Sequence, residues 1–208
     1  MKRPFPEKGF YGILTDPAAG YEALAGAMVE AGVPVIQLRM KKAPRREVLR
    51  VAKALRRIIP PEILFILNDD PLLAREAGAD GVHLGREDPG IEEAREILGE
   101  GAVYGLSTHG PDQAREALEK GPDYIGAGPV YPTPTKERPD PVIGIEGLRE
   151  TLALSRVPVA AIGGIGPENV REVLRAGARM FAAVRWVNRS PRPLETLLEI
   201  REILEEAL

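Results

Sequence analysis

One unit recurs along the whole chain: a short apolar run, a turn marked by Gly or Asp, then an amphipathic stretch with Ala, Leu and Arg or Glu at helical spacing. The apolar runs are FYGILT (10–15), VPVIQLR (33–39), EILFILN (62–68), DGVHL (80–84), AVYGLS (102–107), DYIGAG (123–128), VPVAAIG (157–163) and RMFAAV (179–184). Helical stretches fall near 20–31, 45–58, 71–77, 91–98, 111–119, 145–154, 167–176 and 191–206. Pro and an acid open the helices at GPDQ and GPEN, where the positive end of the dipole favours a carboxylate. The runs are continuously apolar rather than alternating, which implies burial on both faces and a parallel sheet.

Eight such units in 208 residues, about 26 residues each, predict a small (β/α)8 TIM barrel, a single domain over residues 1–208. The competing arrangement is an open doubly wound sheet. Its first strand should run into a G-x-G-x-x-G turn, whereas here it runs into ILTDPAAG. A formal net charge of −3, with basic residues spread along the chain, excludes the electrostatic footprint of a nucleic-acid or anionic-membrane binder. The chain has no cysteine, which rules out disulfides and thiolate chemistry and agrees with a cytoplasmic setting. The N-terminal MKRPFPEKGFYGILTDP lacks the apolar core of a signal peptide, and no stretch approaches the roughly 18 apolar residues of a membrane span.

In such a barrel, chemistry sits on the residues just past the C-terminal end of each strand. Asp69 and Asp70 follow the third strand, and Glu87 and Asp88 the fourth, so neighbouring strands bring carboxylates to one rim. With water and phosphate oxygens they would suit Mg2+; NDDP and REDPG also read as turns and helix caps. Arg39, Lys41 and Lys42 follow the second strand and Lys136 the sixth, with Ser107, Thr133 and Thr135 adding hydroxyls. Such a set can hold a polyphosphate through charge-assisted bonds, or form a solvated rim. Arg39 and Lys41, two apart, share one side of a strand end. AAIGGIGPENV, paired glycines opening a helix, lets backbone N–H groups approach an anion, at the position where barrels commonly hold phosphate. His83, within GVHLG, reads as a hydrogen-bonded structural residue, and His109 as a rim residue or cap; no triad is legible.

Together QLRMK (37–41), LND (67–69), GADGVHLG (78–85) with Asp88, LSTH (106–109), YIGAGPVYPTPTK (124–136) and AIGGI (161–165) resemble the thiamine-phosphate synthase family, in its order and spacing over essentially the whole chain. The resemblance implies a (β/α)8 barrel that joins an aminopyrimidine diphosphate to a thiazole phosphate with Mg2+, releasing pyrophosphate. It implies that Gln37, Arg39, Lys41, Asn68, Ser107 and Lys136 bind the pyrimidine diphosphate, with Arg39, Ser107 and Lys136 closest to the chemistry. Asp69 and Asp88 would hold Mg2+. Thr133, Thr135, Gly164, Val184 and Arg185 would hold the thiazole phosphate. The implied partners are these two small molecules, with no nucleic acid and no membrane; self-association as a homo-oligomer stays open.

The chain departs from the family pattern at Asp70, where Arg is usual, at Arg86, where Gln is usual, and at Arg185 and Trp186, where Ser and Ala are expected. Arg185 either gives the phosphate a direct cation or, with Trp186, obstructs the pocket. Two alternative activities share the barrel: a thiazole tautomerase, which resembles the synthase but typically lacks the metal and diphosphate motifs, and a non-catalytic phosphate-ligand sensor.

Overall fold

Strands β1 (Gly9–Leu14), β2 (Val35–Leu38), β3 (Leu64–Asn68), β4 (Gly81–Leu84), β5 (Val103–Thr108), β6 (Tyr124–Ala127), β7 (Val159–Ile162) and β8 (Met180–Ala182) pair in parallel and in chain order, and β8 closes on β1. The computed structural model describes residues 2–133 and 140–208. The helices are α1 (Tyr21–Glu30), α2 (Arg45–Ile58), α3 (Pro71–Ala77), α4 (Ile91–Leu98), α5 (Pro111–Glu119), α6 (Gly144–Leu154), α7 (Val170–Arg175), α8 (Val184–Asn188) and α9 (Pro193–Ala207). This is the (β/α)8 TIM barrel the repeat predicts. No described helix is long and apolar enough to cross a membrane.

The two faces of each strand feed two cores. Outward residues such as Leu14, Ile36, Phe65 and Phe181 pack beneath the helices. Inward residues such as Tyr11, Val35, Ile66 and Met180 fill the barrel. In α2 the apolar stripe Val51, Ala52 and Leu55 is buried while Arg46, Glu47, Arg50, Lys53 and Arg57 are exposed, so helical periodicity seats it on the sheet. The N-terminal segment seals the end of the barrel where the strands begin. There Phe5 stacks on Tyr124 with ring centroids 3.9 Å apart, and Lys2 and Arg3 form ion pairs with Asp123 and Asp80, just ahead of β6 and β4.

The eighth repeat departs from expectation. The run 179–184 stops being a strand at Ala182, and Val184 and Arg185 form the first turn of α8. The cause is tertiary. Asn188 is buried; its Nδ2 donates to the carbonyls of Ile13 (2.7 Å) and Val184 (2.9 Å), and its Oδ1 accepts from the Thr15 N–H at 2.9 Å. A helical turn is needed to bring that carboxamide back to the end of β1.

Gly105 makes room for the interior. A Cβ there would lie 2.1 Å from Cζ of Tyr124, a distance relieved only by moving a fully buried ring. Gly105→Ala is expected to destabilise the fold by about 1–3 kcal/mol through overpacking, lowering Tm by roughly 2–4 °C per kcal/mol. Thermal denaturation checks this; an unchanged Tm would mean that Tyr124 has space the structure does not show.

Candidate active site

The interior positions nearest the strand C-termini are polar where those deeper in the barrel are apolar. Alternation from Val35 turns Gln37 inward on β2, alternation from Ile66 turns Asn68 inward on β3, and Ser107 follows two residues after Gly105 on β5. These three side chains and Arg39 line a cavity of about 430 Å3. Thr133, Gly164, Val184 and Arg185 line the same cavity, so residues scattered over most of the chain converge. Thr135 and Lys136 lie outside the described residues.

The carboxylates stand beside this cavity at the ends of β3 and β4. Asp69 adopts φ 70°, a left-handed conformation that Asp tolerates, and its N–H donates to the His83 carbonyl at 2.9 Å. Its Oδ2 pairs with Lys41 Nζ at 2.8 Å. Burial, and then the Asp88 carboxyl beside it, raise the Asp69 pKa above the usual value, and Lys41 opposes the rise. Asp88 Oδ2 accepts from the Gly85 N–H at 2.6 Å, which holds it in place. Burial lowers the Arg39 pKa, against the opposing charges of Asp69, Asp16 and Asp88.

The other two acids do different work. Asp70 is the N-cap of α3, accepting from the Leu73 N–H at 2.8 Å, and lies 3.5 Å from Arg45 Nε. Glu87 is exposed. The turn-and-cap reading therefore describes Asp70, while Asp69 and Asp88 form the close pair. Lys42 is exposed, whereas Lys41 reaches the pair.

On the opposite wall, Gly163 (φ 98°) and Gly164 (φ 66°) carry the chain from β7 along the cavity. Asn169 braces this loop, donating from Nδ2 to the Gly164 carbonyl and accepting at Oδ1 from the Gly166 N–H, both at 2.9 Å. The Tyr131 N–H donates to the Gly163 carbonyl at 2.9 Å, so the loops after β6 and β7 are laced together. Arg185 and Trp186 both lie on the cavity wall, and about 430 Å3 stays open between the walls. His109 is a rim residue, with Nδ1 at 2.5 Å from the Gly128 carbonyl and Nε2 at 3.3 Å from Asp140.

Some lining residues escape sequence reasoning. Arg189 lines the cavity four residues after Arg185, a pairing visible only once α8 is known to be a helix. Tyr11 and His83 also line it, linked through the buried Tyr124. Their signal is a polar atom on the inward phase of an apolar strand.

A closed parallel barrel with cations, hydroxyls, a paired-glycine loop and a close carboxylate pair at its strand C-termini defines an enzyme of the phosphate-handling TIM-barrel class. Residues 12–187 match the family model described as thiamine monophosphate synthase, and the chain belongs to that family. A thiamine-phosphate synthase of Dictyoglomus turgidum is 45% identical over 179 residues, covering 86% of this chain and 80% of the relative. That of Pyrococcus furiosus is 42% identical over 181 residues, 86% of each chain. A solved thiamine phosphate pyrophosphorylase from Pyrococcus furiosus superposes with a TM-score of 0.86 at 38% identity, covering 97% of this chain and 98% of that one. A 3-hexulose-6-phosphate synthase superposes with a TM-score of 0.70 at 22% identity over 95% of this chain and 99% of its own, a likeness of fold alone.

Proposed function

We propose that the cavity holds an aminopyrimidine diphosphate and a thiazole phosphate together, with its residues divided between the two. Gln37, Asn68 and Ser107 hold the pyrimidine; Arg39, Lys41 and Lys136 neutralise its diphosphate. Thr133, Thr135, the backbone at Gly164 and Val184, and Arg185 hold the thiazole phosphate. The observation that carries this division is the convergence of Gln37, Arg39, Asn68, Ser107, Thr133, Gly164, Val184 and Arg185 on one cavity. The chain is a transferase of thiamine biosynthesis that forms thiamine phosphate, as its family membership and its relatives establish. We place that work in the cytoplasm, a reading supported by the absence of cysteine.

A divalent cation fits the donor set. Burial first, and then the neighbouring Asp88 carboxyl, raise the Asp69 pKa, and a positive charge between the two carboxylates would relieve their repulsion. Among the described residues no cluster of three or more His, Cys, Asp or Glu is placed to hold a metal. The remaining ligands would therefore be water and phosphate oxygens, the habit of Mg2+. Bound there, Mg2+ would supply charge neutralisation at the diphosphate.

The side chains then do the rest. The C–O bond between the pyrimidine methylene and the diphosphate breaks, its electron pair leaving with pyrophosphate, and the electron-rich ring stabilises the cation left behind. The thiazole nitrogen donates the pair of the new C–N bond. Arg39, Lys41 and Lys136 offset the charge that grows on the leaving group, while the thiazole-phosphate contacts aim the nitrogen at the methylene. No side-chain nucleophile is required, which fits a chain without a thiol.

Purified protein incubated with both substrates and Mg2+ is expected to release pyrophosphate and thiamine phosphate in equal amounts. No product at any Mg2+ concentration would overturn the reading. Conversion of the thiazole tautomer alone would favour a tautomerase, and ligand binding without turnover a sensor. Lys136→Ala is expected to lower the rate roughly a hundredfold or more, the worth of one cation in a phosphate clamp. Lys42→Ala should stay close to wild type, and equal rates for the two variants would refute the assignment of Lys136.

A further inference from the structure

A single hydrogen-bonded chain runs through the barrel interior from one wall of the cavity to another. Gln37 Nε2 donates to the Tyr11 hydroxyl at 2.8 Å. The Tyr11 and Tyr124 hydroxyls are 2.6 Å apart. The Tyr124 hydroxyl is 3.0 Å from His83 Nδ1, and His83 Nε2 is 2.9 Å from Ser107 Oγ. The links join β2, β1, β6, β4 and β5. Burial raises the pKa of both phenols well above the usual value, so each keeps its proton.

The direction of this chain is set by its first link. An amide nitrogen only donates, so the Tyr11 oxygen accepts from Gln37 and its own proton goes to its other partner, Tyr124. Were Tyr124 to donate back, the Tyr11 proton would be buried without an acceptor. Tyr124 therefore donates to His83 Nδ1. The imidazole proton then sits on Nε2 and is given to Ser107 Oγ. Ser107, already accepting, has its own proton to turn toward the cavity.

We propose that Tyr11, Tyr124 and His83 are positioning residues that set the hydrogen-bond polarity of the pyrimidine subsite, making Ser107 a donor and leaving Gln37 Oε1 as the acceptor. An aminopyrimidine is the complement, with an exocyclic amine that donates and ring nitrogens that accept. A 4-oxo pyrimidine presents the inverse edge, a carbonyl beside a ring N–H, and meets like against like. The inference rests on the reading of Gln37 and Ser107 as pyrimidine contacts. It adds that the two ends of the subsite are not independent: the phenols and imidazole between them hold the pattern fixed before substrate arrives, which is how a buried polar network rejects a near isostere.

The free protein tests the polarity directly. Two-bond 1H–15N correlation of the 15N-labelled chain, with the His109 signals assigned from their loss in His109→Gln, is expected to show His83 protonated at Nε2. An Nδ1–H tautomer would overturn the proposal, whatever the activity. Tyr124→Phe keeps the ring on Phe5 but removes the link. Its His83 is expected to lose the fixed tautomer, and KM for the pyrimidine diphosphate to rise about tenfold while KM for the thiazole phosphate stays within about twofold. Discrimination against the 4-oxo analogue should fall at the same time. Unchanged tautomer, KM values and discrimination in this variant would also overturn the proposal, and if the variant does not fold, the wild-type tautomer decides alone. An Nε2–H tautomer in a protein that makes no thiamine phosphate would leave the polarity standing and sink the pyrimidine assignment instead.

Discussion

Asp88→Asn is expected to leave a folded protein that is slightly more thermostable than wild type and at least about a hundredfold slower. The two effects have one cause. Asp69 and Asp88 are held together by backbone contacts, the Asp69 N–H to the His83 carbonyl and the Gly85 N–H to Asp88 Oδ2. Their proximity is therefore imposed rather than relaxed away. Asn keeps an oxygen to accept from Gly85 but removes one negative charge. Relief of a like-charge contact is worth on the order of 1 kcal/mol at a partly solvated rim, or roughly 2–4 °C in Tm.

The pH dependence gives an independent readout. Because the Asp69 pKa is raised in the folded protein, the native state holds a proton that the unfolded chain releases near the ordinary value of 3.8. Between that value and the raised one Asp69 binds more proton in the native than in the unfolded state, so its contribution to stability falls as pH rises through this window. Asp88→Asn should flatten that slope, and Mg2+ should offset it in the wild type alone. Scanning calorimetry across acidic pH, with and without Mg2+, measures both. A variant with wild-type activity, or one whose pH slope is the same as that of the wild type, would contradict the pair's role.

Gly164→Ala is expected to raise KM for the thiazole phosphate by about 10- to 100-fold, the equivalent of one or two charge-assisted backbone bonds. KM for the pyrimidine diphosphate should stay within about twofold. Gly164 has φ 66°, and a Cβ there would sit 2.7 Å from both the Pro132 carbonyl oxygen and Tyr131 Cβ. Alanine is strained by its own backbone and collides with the neighbouring loop. That collision is transmitted, since the Tyr131 N–H is bonded to the Gly163 carbonyl and the next residues lead to Thr133 on the cavity wall. Steady-state kinetics with each substrate varied separately decides it. Equal rises in both KM values would indicate a general loosening of the site.

Residues with a local reason to be where they are can be read from the chain itself. Asp70 ahead of Pro71 is a helix cap by residue type. Gln37 and Asn68 fall on the inward phase of their strands by counting in twos. In the sequence Asp69 and Asp88 read equally as turn residues and as a metal pair, and only the structure shows that the two carboxyls are neighbours, because residues at the ends of different strands meet only when the sheet forms. The apolar run alone carries the last strand on to Val184 and Arg185; what ends β8 sooner is Asn188 reaching β1, a contact between residues 175 positions apart. His83 reads from sequence as a hydrogen-bonded structural residue, and it is hydrogen-bonded. What sequence leaves invisible is that its partners, Tyr124 and Ser107, extend the chain to Gln37.

By itself, the sequence determined the eight-fold repeat, since continuous apolar runs alternating with amphipathic helices call for a parallel sheet covered on both faces; eight short units, with no G-x-G-x-x-G turn after the first strand, favour the barrel over an open sheet. Through its ordered motifs it also determined the family. Only the tertiary structure decided which of the rim acids face one another, that the last repeat bends into α8, and that two phenols and an imidazole join Gln37 to Ser107. The physical reason is one of range. Periodicity, caps and turns are set by neighbours a few residues away, whereas charge repulsion, ring packing and hydrogen-bond direction in a barrel depend on side chains brought together across its axis from distant parts of the chain.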